Sequence, residues 1–73
     1  MSNHNIEYLK KKINATELAM KERSDRYEKA SEQAEEYTLL SELDVLERMH
    51  TSLIDAYRIV VAYDKVSDEM VDL

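Results

Sequence analysis

The chain has 73 residues, a net charge of −6, and no cysteine, glycine or proline. Without cysteine there is no disulfide to staple so small a fold. Without glycine or proline the tight turns of a β-protein lack the residues that reach their special backbone angles. Phosphate-cradling loops need glycines, and a nucleophile elbow needs small residues at a strained turn, so no catalytic and no cofactor-binding residue is assigned.

Helix formers dominate what remains, and the expected fold is all-α, a single helical domain over residues 1–73. A chain of this length buries a small fraction of its surface, so a second chain is the expected source of further core. Residues Met1 to Lys12 contain no apolar stretch ahead of a small-residue cleavage site, so they do not read as a secretory leader. No apolar run approaches the roughly eighteen residues of a membrane span. The expected address is the cytoplasm, with no membrane partner.

The first helix is expected over about 5–30. Ile6, Ile13, Met20, Tyr27 and Ala34 form one row and Leu9, Thr16, Arg23, Ala30 and Tyr37 another, at the 3-4 spacing of an amphipathic helix. Thr16 and Arg23 interrupt the seam. Asn3 or Asn5 is a candidate cap, with Glu7 near the positive end of the helix dipole. Lys10, Lys11 and Lys12 are consecutive, so they fan around the axis instead of forming a basic stripe, and the chain is acidic overall. A solvated face explains them better than nucleic-acid binding.

Residues 21–36 are mostly charged, and the heptad phase changes between Tyr37 and Leu43. A polar turn is expected here, with Ser31, Thr38 or Ser41 as cap; Ser41-Glu42-Leu43-Asp44 has the form of a capping box. The expected architecture is an antiparallel, coiled-coil-like helical hairpin, completed into a bundle by a second chain. The alternative is one continuous helix with a stutter that pairs with another chain. Charge favours the hairpin: residues 1–29 carry seven basic and five acidic side chains, residues 30–73 three and eleven.

The second helix is expected over about 36–64, with a short tail over 65–73 that is either a last helix or frayed. Leu39, Leu43, Leu46, His50, Leu53, Tyr57 and Val60 continue the 3-4 pattern. Leu40, Ile54 and Val61 widen it, and Met49, Ala56 and Tyr63 widen it again. Its clearest polar stripe is Asp44, Arg48, Thr51, Asp55 and Arg58. So little polar circumference belongs to a helix covered on several sides. The candidate partner-binding residues are Leu46, His50, Leu53, Ile54, Tyr57, Val60, Val61 and Tyr63, the tyrosines because one end packs and the other meets water.

Glu47-Arg48-Met49-His50 has the Glu-x-x-His form with which di-iron bundle proteins place two ligands on one face, and Glu17 or Glu22 could add carboxylates. The pattern is short and common in acidic helices. His50 also stands on the apolar row between Leu46 and Leu53, where a polar residue sets register, so no metal is expected. An acidic surface imitating nucleic acid, drawing on residues such as Glu32, Glu35, Glu42 and Asp64, is a minor reading.

Tyr37, Leu40, Leu46-Glu47 and the cluster Ile59-Val60-Val61-Ala62-Tyr63 follow a polar first helix and a charged linker. In that order the chain resembles the small helical-hairpin co-chaperones that guard needle subunits of type III secretion systems, over about half its length. The resemblance implies a non-enzymatic chaperone or adaptor that covers a partner helix with the apolar face of its second helix. The other expected class is a phage-encoded or regulatory homo-oligomer, a dimeric helical bundle that inhibits a host protein and meets it with an acidic face. Ile6-Glu7-x-Leu9 and Leu43-Asp44-x-Leu46 are also similar to the short aspartyl-phosphate phosphatases of sporulation control. Leu40 stands where those proteins carry a serine, and that reading is set aside.

Overall fold

A computed structural model describes residues 3–71. They form two helices, α1 (Asn3–Lys29) and α2 (Gln33–Val71), in an antiparallel hairpin. At 1.5 Å per residue the helices run about 40 and 58 Å, so α2 alone spans nearly all of the 62 Å long axis. The radius of gyration, 17.3 Å, exceeds the roughly 11 Å of a compact chain of this length. This is a rod one helix pair thick.

The seam follows the expected rows of α1 as far as Arg23. Ile13 and Thr16 are buried, and Ile6, Leu9, Met20 and Arg23 are half-buried. From α2, Leu39 is buried and Leu43, Leu46, His50, Leu53, Tyr57 and Val60 are half-buried. The two polar residues in the α1 seam are both satisfied. The Thr16 hydroxyl donates to the Lys12 carbonyl one turn back at 2.7 Å, and Arg23 Nε donates across the seam to Glu42 at 2.9 Å. Tyr27 and Ala34, later members of the first row, are exposed because the chain has left the seam or reversed by then.

The reversal differs from the expectation in where it caps. The link is Ala30-Ser31-Glu32. The Ala30 amide donates to the Tyr27 carbonyl, and the Glu36 amide donates to the Glu32 carbonyl, which makes Glu32 the residue at the α2 N-cap. Thr38 and Ser41 lie inside the helix, where the Thr38 hydroxyl bonds the Ala34 carbonyl, so the capping box is not used. No described residue has a positive φ, and for that reason the turn needs no glycine. Electrostatics favours this site: Arg26 and Lys29 lie in the last turn of α1, Glu35 and Glu36 near the start of α2, each pair complementing its helix dipole.

The ends of the helices also differ. Asn5 lies within α1, which begins at Asn3, and Glu7 lies beyond the first turn. Helix α2 does not stop near residue 64 but continues unbroken to Val71; residues 72 and 73 lie outside the described residues. Glu17–His50 and Arg23–Glu42 contacts fix the register, and they place Asn3 opposite residues 62–64. The last two turns of α2 therefore run past the start of α1.

Candidate protein-binding face

The hairpin seam uses one stripe of α2, and the apolar side chains next to it remain uncovered. Val45, Met49, Ser52, Ala56, Ile59, Tyr63 and Val66 recur at alternating steps of four and three, a second heptad row one residue ahead of the seam row. Val45, Met49, Ile59, Tyr63 and Val66 are 48–72 % exposed. On α1 the matching flank carries Tyr8, Lys12, Ala15 and Ala19, at the same spacing. In an antiparallel pair the equivalent flanks of both helices fall on one side, and the surface shows it. Tyr8 and Lys12 line one depression with Val45, Met49 and Ser52, and Val45 also borders a second with Arg23, Ser41 and Leu46. These two depressions, which share Val45, make up a shallow trough over residues 41–53 of α2, largely apolar at its floor.

Polar groups frame the trough. Lys12 Nζ lies 5.5 Å from the centre of the Tyr8 ring, a cation–π contact that ties the third lysine of the run to its own helix. Arg48 pairs with Asp44 at 3.2 Å, with both side chains largely in solvent. The stripe Asp44, Arg48, Thr51, Asp55 and Arg58 is exposed throughout.

The eight residues expected to bind a partner separate into two groups. Leu46, His50, Leu53, Tyr57 and Val60 line the seam, where α1 of the same chain half-buries them. Ile54 is half-buried at the seam's other edge, Val61 is 38 % exposed and Tyr63 is 72 % exposed. The continuous row from Val45 to Val66 emerges only once the hairpin has claimed the stripe beside it, although Met49, Ala56 and Tyr63 already stood out as a group in the sequence.

His50 and Glu17 do come together. His50 Nε2 lies 3.0 Å from Glu17 Oε2, and since a carboxylate only accepts, Nε2 carries the proton. Glu47 is exposed, and no cluster of three or more His, Asp or Glu suited to a metal exists among the described residues. The pair acts as a cross-helix register contact. No helix of the described residues is long and apolar enough to cross a membrane.

Fold and surface together define a class: an all-α helical hairpin with a thin seam and an unfilled apolar side. No protein-family model, no curated protein and no solved structure matches the chain.

Proposed function

We propose that the chain is a non-catalytic protein-binding module, an adaptor or chaperone of the cytoplasm, whose working surface is the trough and the heptad row of α2. One observation carries this reading. Five large apolar side chains, Val45, Met49, Ile59, Tyr63 and Val66, are each about half exposed or more and lie in a single row. Scattered surface apolar residues are normal, but a contiguous apolar row marks an interaction site. The 3-4 spacing is that of knobs and holes, so the fitting partner element is an amphipathic helix. Guarding a partner helix is also the role implied by the likeness to needle-subunit co-chaperones, which draws on the same apolar helix through Ile59 and Tyr63.

The test places a photo-reactive phenylalanine analogue at position 49 or 59, in the row, and at position 47 or 51, outside it. After illumination in the producing cells, discrete covalent adducts are expected at 49 and 59 and only background at 47 and 51. Equal labelling at all four positions, or none at any, would remove the row as a binding face.

The second reading, a homo-oligomeric regulator, is favoured by the surface area. The chain exposes 6044 Å², whereas a compact protein of its mass exposes roughly 4,700 Å². That excess motivates the next inference.

A further inference from the structure

We infer that the row of α2 pairs with the same row of a second copy, antiparallel, about a two-fold axis at Ala56. This rests on the reading of the row as a protein-binding face and names its occupant.

Area supplies the first argument. The excess over a compact fold is about 1,300 Å², and a standard interface removes about 800 Å² from each partner. One further copy on one face therefore removes more than half of that excess. The hairpin has little else to stabilise it, since only Ile13 and Leu39 are buried apolar residues among those described.

The order of side chains along the row supplies the second. A two-fold interface must be complementary to its own reverse. Reflection at Ala56 sets Val45 against Val66, Met49 against Tyr63, the small Ser52 against the larger Ile59, and Ala56 against itself. Val45, Met49, Tyr63 and Val66 then meet apolar side chains, Ile59 lies over the small Ser52, and the smallest residue lies where the two backbones approach most closely. Reflection at Ser52 would set Tyr63 and Val66 against the polar Glu42 and Thr38.

The third argument comes from α1, which plays no part in choosing the axis. The Glu17–His50 and Arg23–Glu42 contacts put residues 9–11 opposite Ala56. A two-fold there faces Tyr8 of one copy with Lys12 of the other, and Asn5 with Ala15, so the α1 flank is also compatible with its own reverse. The two hairpins stack face to face, α2 on α2 and α1 on α1, as an antiparallel four-helix bundle. The last turns of α2, which lack α1 beneath them, lie over residues 41–48 of the second copy.

Because the protein has no native cysteine, engineered single cysteines read this arrangement directly. Under mild oxidation Ala56→Cys is expected to form a disulfide-linked dimer in high yield, because the two positions meet at the axis within disulfide reach. Met49→Cys alone is expected to stay unlinked, its two copies lying about 20 Å apart along the bundle. Met49→Cys mixed with Tyr63→Cys is expected to link, and Thr51→Cys on the polar stripe sets the background. Circular dichroism checks that each variant remains helical. Self-linking of Met49→Cys would mean parallel pairing and would overturn the inference. So would background linking at Ala56→Cys together with a monomeric mass. In that second case, adducts to other proteins at positions 49 and 59 would leave the protein-binding reading standing, and their absence would remove both.

Discussion

At the scale of single residues, three polar side chains occupy places where a heptad seam wants apolar ones, and each is handled differently. Thr16 folds its hydroxyl back onto the Lys12 carbonyl of its own helix. Arg23 reaches Glu42 and His50 reaches Glu17, both across the seam. These cross-helix contacts act more on register than on stability, because their partners stand largely in water: Glu42 is 44 % and Glu17 55 % exposed. A double-mutant cycle of Arg23→Ala with Glu42→Ala should therefore return a coupling of roughly 0.5 kcal/mol or less. Leu39→Ala, at the best-buried position in the chain, should cost about 2–4 kcal/mol by chemical denaturation. His50→Leu should raise the thermal midpoint, by about 1 kcal/mol of added stability, because it extends the apolar seam and returns Glu17 to water. A fall in the midpoint would show that the His50–Glu17 bond outweighs the packing it displaces.

At the scale of elements, α1 was legible in its seam, α2 in its length of apolar residues and the reversal in the polar stretch between them, but the cap of the turn was not. Periodicity locates a seam because side-chain placement repeats at fixed spacing. It fails at a reversal built from three residues with ordinary negative φ, where neither glycine nor asparagine marks the spot. The signal that was present is electrostatic: Arg26 and Lys29 ending one helix, Glu35 and Glu36 opening the next. Glu32 is a poor N-cap, since its long side chain does not reach back to the free amides as serine or aspartate does. Glu32→Ser is thus expected to stabilise the hairpin by about 1 kcal/mol, read as a rise in thermal midpoint. The exposed apolar row was half legible. Tyr63 and Val61 stand out by composition, yet which stripe of a broadly apolar helix stays free depends on which stripe the other helix takes, and that is a property of the pair.

For the whole molecule, the governing fact is a shortage of cover. A rod of two helices with few buried side chains gains only a small margin from burial over the ordering of its chain, and another surface closing its open side widens that margin. The row proposed to self-pair is also the row proposed to receive a partner helix, so the two events compete. On this proposal the dimer keeps the apolar face covered until a partner replaces the second copy. Adding a partner helix should convert dimer into heterodimer, and the thermal midpoint of the chain alone should rise with its concentration, as mass action requires of a dimer that unfolds to monomers. A midpoint independent of concentration would argue that the hairpin stands by itself. The most direct measurement is sedimentation equilibrium of the wild-type chain and of Ile59→Asp over a wide range of concentrations, with circular dichroism alongside. The account predicts a wild-type mass of twice 8.6 kDa, and for Ile59→Asp the monomer mass with the helical spectrum retained at low temperature. A wild-type monomer at every concentration, or an Ile59→Asp dimer as tight as wild type, would contradict it.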